Sequence, residues 1–282
     1  MNAHAQQKST MINLNGIDVY YEFHQPDPLK PVIVLIHGFL SSSFSFRRLI
    51  PYLEKEFSVL TVDLPPFGKS GKNLSFRYSY QNLADLVISL LETLKVDKAF
   101  LVGHSMGGQI TLNIAKRRPD IASKIVLLCS SGYIDRFHYS LIYSSYFPYF
   151  HLWLKAWLAK TGVLGSLKNV VYNHALIDED MVQGYSTPFV DNQIFKALTK
   201  MIRDREGDLS STMLQQIMTP SLLIWGEEDR VVPINVGRRM HQDLKDATFV
   251  SFKDTGHLLP EECPDSIYQQ ITNFIFPSKG RM

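Results

Sequence analysis

The stretch AFLVGHSMGGQITLNIA (99–115) places one serine, Ser105, between two glycines where an apolar, strand-like run meets a helix-like pattern. A tight strand-to-helix turn needs very small neighbours, so Gly103 and Gly107 favour a turn that exposes the Ser105 hydroxyl. The same turn puts the Met106 backbone N–H at a helix N-terminus, where partial positive charge stabilises a developing oxyanion. We therefore predict that Ser105 is a nucleophile and that Met106 is an oxyanion donor. The alternative interpretation is a glycine-rich helix start.

A serine hydroxyl is a weak nucleophile, so this chemistry requires a general base and an acid that orients the base. Among the nine histidines, His257 is the candidate base because it follows the last predicted strand, in KDTGHLLPEECP. The acid is expected after the preceding strand, in WGEEDRVVP, where Asp229 stands last before the turn. Asp135 is the alternative acid.

A second oxyanion donor is expected where the buried run of LIHGFLSS ends, because a small glycine there lets the backbone turn towards a pocket. We predict that the Phe39 N–H is this donor and that the Phe39 side chain contacts substrate. His37 is expected to brace the loop through hydrogen bonds. His104 is adjacent to Ser105 in sequence but is expected to project elsewhere, so it is interpreted as a packing or supporting residue. It is also included among the predicted substrate contacts.

The elements that must position these residues alternate between strands and helices. Continuous apolar runs such as PVIVLIHG and SVLTVDLP predict strands buried on both faces, and the Asn15-Gly16 pair predicts a hairpin turn. FSFRRLIPYLEKEF is predicted to form one helix. The pattern favours a mostly parallel sheet with helices on both faces. Because the alternation breaks after Ser131, we predict a core of residues 1–130 and 211–282 and a helical cap over 131–210.

The predicted cap contains YFPYFHLWLKAWLAK, in which Tyr149, Trp153 and Trp157 follow one another at i+4 steps. We expect these aromatic side chains mainly to pack the cap onto the sheet domain. The alternative is that they line an apolar acyl or aromatic pocket, and the prediction that they contact substrate depends on this alternative. Contact with a membrane surface is a less favoured alternative, and the polar residues in the stretch argue against a membrane-spanning helix.

Composition and charge indicate which binding partners and which cellular compartment to expect. The 282-residue chain has a formal net charge of +2 and a pI near 8.4, which gives no reason to expect nucleic-acid binding. Two cysteines, Cys129 and Cys263, are too few for a disulfide framework and favour a reducing compartment. The start, MNAHAQQKST, lacks the pattern of a secretory signal, so we predict a cytoplasmic protein. We expect no metal.

The chain resembles the α/β-hydrolase superfamily, in its capped esterase and lipase-like branch. The resemblance runs from about residue 13 to 276 and rests on HGF, DLPPFGKS, GHSMGG, WGEEDRVVP and TGHLLPEECP in order. It implies the roles of nucleophile, acid, base and two oxyanion donors for Ser105, Asp229, His257, Phe39 and Met106. It also implies an α/β-hydrolase fold without a cofactor. One departure is Pro66, where relatives usually carry glycine.

These observations favour a serine hydrolase that cleaves small-to-medium hydrophobic carboxylic esters through an acyl-enzyme intermediate. C–C bond hydrolases of dienoic ketones and perhydrolases use the same triad and are kept as alternatives. Haloalkane dehalogenases and epoxide hydrolases use an aspartate nucleophile where this chain has Ser105. A non-catalytic small-ligand receptor is the alternative from another class. The sequence leaves the oligomeric state open.

Overall fold

The architecture is an eight-stranded sheet flanked by helices, seen in a computed structural model that describes residues 7–24, 27 and 29–277. Residues 1–6, which contribute to the expectation of no secretory signal, lie outside the described residues. The strands are β1 (Gln7–Leu14), β2 (Ile17–His24), β3 (Val32–Ile36), β4 (Ser58–Val62), β5 (Ala99–His104), β6 (Ala122–Leu128), β7 (Ser221–Gly226) and β8 (Ala247–Phe252).

The strand order is β1-β2-β4-β3-β5-β6-β7-β8. The strands from β4 to β8 in this order run parallel, whereas β1 and β2 join the edge in antiparallel pairs. β4 and β7 are buried along their whole length, as expected for apolar runs covered on both faces. The predicted hairpin turn is present, with positive φ at Asn15 and Gly16. The predicted fold class is therefore confirmed.

Helices cover the sheet and connect its parallel strands. They are α1 (Ile50–Leu53), α2 (Tyr80–Thr93), α3 (Met106–Arg117), α4 (Tyr139–Ser144), α5 (Phe150–Ala159), α6 (Gly162–Val170), α7 (Glu179–Val190), α8 (Gln193–Asp204), α9 (Ser211–Leu214), α10 (Ile234–Asp243), α11 (Leu259–Glu262) and α12 (Pro264–Ile275). α2 packs against α3, which lies on β3, β5 and β6, and α12 packs against α1 and β7. None of the described helices combines the length and apolarity needed to span a bilayer.

The prediction of one helix over FSFRRLIPYLEKEF was wrong. The chain forms a 3-10 turn, Ser43–Phe46, and then the short helix α1. The Ser42 side chain accepts a hydrogen bond from the Phe44 N–H and caps the turn. Pro51 lies in the first turn of α1, where a missing N–H costs nothing, so a new helix starts there.

The stretch 131–210, hereafter the helical segment, contains α4 to α8 and a 3-10 turn, His174–Leu176. Its two ends meet, because the Asp208 carboxylate accepts hydrogen bonds from the Ser131 hydroxyl (2.7 Å) and the Ile134 N–H (3.1 Å). α8 buries one face, including Ile194 and Leu198, and contacts α5 and α4. The segment thus leaves the sheet and returns to it at nearly the same place.

Candidate active site

The predicted site residues lie after strands whose carboxyl ends share one edge of the sheet. Phe39 follows β3, Ser105 follows β5 directly, Asp229 follows β7 and His257 follows β8. Because these strands are parallel, residues far apart in sequence come to the same edge. The alternative acid, Asp135, is exposed on the loop before α4.

Ser105 occupies a tight turn between β5 and α3, with φ 52° and ψ −119°. Its N–H donates to the Leu128 carbonyl at 3.0 Å, and its own carbonyl accepts from the Ser131 N–H at 3.0 Å. A Cβ at Gly103 would overlap the Gly107 carbonyl, so the turn requires glycine at this position. The geometry presents the serine at the start of a twelve-residue helix, where the partial charge is positive.

Asp229 and His257 form a buried hydrogen-bonded pair. The His257 Nδ1–H donates to Asp229 Oδ2 at 2.7 Å, while Asp229 Oδ1 accepts from the Val231 and Val232 N–H groups at 2.7 and 2.9 Å. Burial alone would raise the pKa of Asp229, but the hydrogen bonds and the charge of His257 outweigh it, so the pKa is lowered. The acid stays ionised and fixes the tautomer that leaves Nε2 as a proton acceptor.

Two backbone N–H groups beside Ser105 are free to bind an oxyanion. Within the described part of the chain, neither the Phe39 nor the Met106 N–H donates to a protein acceptor. The loop that carries Phe39 comes close to the serine, since a Cβ on Gly38 would lie 3.0 Å from the Ser105 Cβ. His37 braces this loop: its Nε2 accepts from the Leu64 N–H (2.8 Å), and its Nδ1–H donates to the Gly38 carbonyl (2.7 Å).

His104 lies behind the base. Its Nε2–H donates to the His257 carbonyl at 2.8 Å, and the two rings are 4.8 Å apart. Burial, together with the neighbouring His257, lowers the pKa of His104 to about 3. His104 therefore stays neutral when the base becomes charged.

The loop that carries His257 is attached to the helical segment. The His257 N–H donates to the Val170 carbonyl at 2.7 Å, at the end of α6. The Glu262 carboxylate accepts from the Gly256 N–H at 3.0 Å and from the Tyr172 N–H at 2.8 Å. The sequence analysis missed Glu262, because a glutamate at a helix end gives no signal that it binds two distant backbone segments.

Metal-binding atoms of Cys129, Asp229 and His257 lie within 4.8 Å of one another. The His257 and Asp229 atoms are already hydrogen-bonded to each other. Burial raises the pKa of the Cys129 thiol well above its usual value. A thiolate is the metal-binding form of cysteine, so a high thiol pKa disfavours coordination here. The arrangement fits a hydrogen-bonded acid–base pair better than a metal centre.

Two cavities meet at Ser105, and Phe39 and Val231 line both of them. The histidine-side cavity, about 240 Å³, is otherwise lined mainly by His104, His257, Val163, Leu167, Tyr185 and Phe189. The tryptophan-side cavity, about 420 Å³, is otherwise lined mainly by Met106, Trp153, Trp157, Leu198, Met201 and Arg205. The serine thus lies between two largely apolar spaces, and the helical segment contributes walls to both.

The predicted substrate contacts have different positions. Phe39 lines both cavities, and His104 lines the histidine-side cavity. Trp153 and Trp157 line the tryptophan-side cavity although they are 54% and 60% exposed. Tyr149 is 73% exposed and lines neither cavity. The expectation that the three aromatic side chains mainly pack onto the sheet domain was wrong, because all three are more than half exposed and the two tryptophans line a cavity.

The structure reveals two polar residues in the cavities that the sequence analysis missed. The Arg205 guanidinium lies 5.2 Å from the ring centroids of both Tyr80 and Phe137 and donates to Asp208 at 3.1 Å. Its Nε is buried and has no partner among the described residues. In the histidine-side cavity, the buried Tyr185 hydroxyl also lacks a partner within the described chain.

Comparison with known proteins agrees with this fold. Residues 31–264 match the alpha/beta hydrolase fold family. The chain is 53% identical to the "uncharacterized hydrolase YugF" of Bacillus subtilis (strain 168) over 262 residues, which cover 93% of this chain and 96% of that protein. The chain belongs to the alpha/beta hydrolase fold family.

More distant proteins share the fold with different named activities. A 2-hydroxy-6-oxononadienedioate/2-hydroxy-6-oxononatrienedioate hydrolase of Paraburkholderia phymatum is 25% identical, with 96% of each chain covered. The crystal structure of a putative lipase from Acinetobacter baumannii AYE superposes with a TM-score of 0.78 at 23% identity, covering 96% of this chain and 91% of that one. These likenesses support the fold and leave the substrate open.

Proposed function

We propose that this protein is a serine hydrolase of small-to-medium hydrophobic carboxylic esters. The observation that carries the proposal is the position of Ser105. It lies at the junction of two apolar cavities, and His257, which is hydrogen-bonded to Asp229, lines one of these cavities together with the serine. The carbonyl carbon of an ester, which the nucleophile attacks, carries an acyl chain on one side and an alcohol group on the other. Two cavities that meet at a nucleophile suit such a substrate.

In the proposed acylation step, the Ser105 Oγ attacks the ester carbonyl while His257 Nε2 takes its proton. Asp229 stabilises the resulting imidazolium through the Nδ1–H bond of 2.7 Å. Negative charge on the carbonyl oxygen is bound by the Phe39 and Met106 N–H groups, each contributing about 3 kcal/mol to the transition state. The tetrahedral intermediate then expels the alcohol, which receives the proton from His257.

Deacylation repeats the sequence with water as the nucleophile. His257 takes a proton from water as the water oxygen attacks the acyl carbonyl, and the same two N–H groups bind the oxyanion. Collapse of this intermediate releases the carboxylic acid and returns the proton to Ser105. His104 touches no reacting atom in this scheme, and its hydrogen bond to the His257 carbonyl positions the base.

We also propose that the helical segment acts as a cap. It supplies most of the wall of the tryptophan-side cavity, including Trp153 and Leu198, and part of the wall of the histidine-side cavity, including Val163 and Leu167. Its direct bonds to the His257 loop link the cap to the base. Apolar walls on both sides favour uncharged acyl and alcohol groups.

The proposal is tested by labelling with a fluorophosphonate probe followed by mass spectrometry. We expect labelling at Ser105 in the wild type, no labelling in Ser105→Ala and strongly reduced labelling in His257→Ala. Ser166→Ala, which alters another serine of the histidine-side cavity, is the matched control and should label normally. A p-nitrophenyl ester series from acetate to laurate then measures the acyl length that the cavities accept. A folded wild type that does not label contradicts the mechanism.

Arg205 favours one second candidate, a C–C bond hydrolase acting on a ketone that carries a carboxylate. A guanidinium at the wall of the tryptophan-side cavity could bind such a carboxylate, although Asp208 already neutralises part of its charge. The Paraburkholderia relative carries the name of a hydrolase of this kind. Under this candidate, Arg205→Gln loses turnover of an acidic dienoic ketone far more than turnover of a neutral ester. Equal effects on both substrates exclude it.

A further inference from the structure

The helical segment exposes a group of aromatic side chains, here called the aromatic face: Tyr139, Tyr143, Phe147, Trp153 and Trp157. Each of these side chains is more than half exposed. Four of the rings lie in pairs, with Tyr139 and Tyr143 stacked at 6.4 Å on α4 and Trp153 and Trp157 stacked at 6.5 Å on α5. Exposed aromatic residues in such a group are unusual on a protein surface that faces only water.

The two halves of the aromatic face are joined by a surface groove. Leu141 and Phe147 line it from the α4 side, and Phe150 and Trp153 line it from α5. Phe150 also contacts Trp153, with ring centroids 5.1 Å apart. Phe147 and Trp153, one from each half of the aromatic face, thus line the same groove.

The surrounding chain is basic. Residues 136–177 contain no aspartate or glutamate, but they contain Arg136, Lys155, Lys160 and Lys168. Lys160 follows α5 directly and is exposed, three residues after Trp157. Among the described residues, no carboxylate forms an ion pair with Lys160 or Lys168. Lys160, at the end of α5 close to Trp157, therefore adds positive charge beside the aromatic face, unpaired in the part of the chain that the structure describes.

The aromatic face is also continuous with the interior. Trp153 and Trp157 line the tryptophan-side cavity, which Ser105 and Met106 also line. A molecule that touches the exposed edges of these indoles is therefore at the wall of the cavity that leads to the serine.

We propose that the aromatic face docks on the surface of an anionic phospholipid bilayer. Tyrosine and tryptophan are the side chains that favour the membrane–water interface, because one part is apolar and the other is polar. Basic residues beside them attract anionic headgroups. A second copy of the chain is a poorer occupant, because pairing two such faces would bring together two copies of residues 136–177, which contain no aspartate or glutamate. Docking would place the exposed sides of Trp153 and Trp157, which line the same cavity as Ser105, against the lipid, where apolar esters concentrate.

The test is co-sedimentation with vesicles, made on Ser105→Ala protein so that binding is measured without hydrolysis. This background keeps the docking proposal separate from the proposed catalytic function. We expect binding to vesicles of phosphatidylglycerol and phosphatidylcholine and much weaker binding to pure phosphatidylcholine. Tyr143→Ser with Phe147→Ser should weaken binding at least tenfold, whereas Met218→Ser, an exposed apolar control distant in sequence, should not. Circular dichroism verifies that each variant is folded.

The charge contribution is tested at one position. Lys160→Gln should weaken binding to the anionic vesicles about fivefold, and Lys160→Glu about 25-fold, because each charge removed near an anionic surface has a similar effect. Lys98→Glu, an exposed lysine before β5, is the matched control. The proposal is overturned by equal binding to both vesicle types or by absence of binding to either. It is also overturned if sedimentation velocity shows that the protein is a dimer and that Tyr143→Ser with Phe147→Ser dissociates this dimer.

Discussion

His104 provides the most direct test of the geometry around the base. Its buried ring donates from Nε2 to the His257 carbonyl at 2.8 Å, and its pKa is lowered to about 3 by burial and by the neighbouring His257. An unfolded histidine has a pKa of about 6.5. The substitution His104→Gln removes the titrating group and retains an amide donor of similar reach. His104→Leu removes both the titrating group and the donor.

The size of the effect follows from proton linkage. A histidine whose folded pKa is depressed contributes full stability above its unfolded pKa, and this contribution is lost as pH falls from about 6.5 towards 3. At about 1.36 kcal/mol per pH unit, the wild type loses about 2 kcal/mol through His104 between pH 7 and pH 5. His104→Gln does not lose it. His104→Leu also leaves the His257 carbonyl unpaired, at a cost of about 1–3 kcal/mol.

The assay is urea unfolding of the wild type and the variants at pH 7, 6 and 5, with the exposed His241→Gln as control. We expect the free energy of unfolding of His104→Gln to gain about 2 kcal/mol relative to the wild type as pH falls from 7 to 5. Ester turnover should fall about tenfold in His104→Leu, since about 1.4 kcal/mol of lost positioning changes a rate tenfold, and change little in His104→Gln. A wild type and His104→Gln that lose stability in parallel would refute the assignment of a buried neutral His104.

Three further predictions follow from single contacts. Asp229→Asn should lower kcat on the order of 10³–10⁴-fold, because an amide cannot hold the same histidine tautomer; a loss below tenfold in the ester assay would contradict the triad. Gly107→Ala should cost about 1–3 kcal/mol or more, because its Cβ would overlap carbonyl oxygens at the end of β3, and an unchanged melting temperature would be inconsistent with that overlap. For His24, the Glu22 and Glu54 carboxylates raise the pKa, so its stabilising contribution is present below about pH 6.5 and is lost as pH rises through the raised pKa. The deficit of His24→Gln in chemical unfolding should therefore be larger at pH 5.5 than at pH 9, and an equal deficit would argue against this ion pair.

Local patterns predicted most of the sheet domain. Apolar runs and turn residues located β3, β4, β5, β7, β8 and the hairpin at Asn15, because a strand buried on both faces needs a continuous apolar sequence. They failed for the stretch before β4, where one helix was predicted. There the Ser42 cap and Pro51 divide the chain into a 3-10 turn and a short helix. Capping and proline positions decided the element boundaries more strongly than hydrophobic periodicity did.

The sequence by itself determined the candidate residues Ser105, Asp229 and His257, because a nucleophile turn and loops after parallel strands have recognisable local patterns. Only the tertiary structure decided what surrounds them. The inward position of Arg205 and the outward position of Trp157 depend on how α5 and α8 pack against each other. An amphipathic or aromatic stripe specifies that a helix has a distinct face, but the neighbouring elements decide whether that face meets the core, a cavity or the surface.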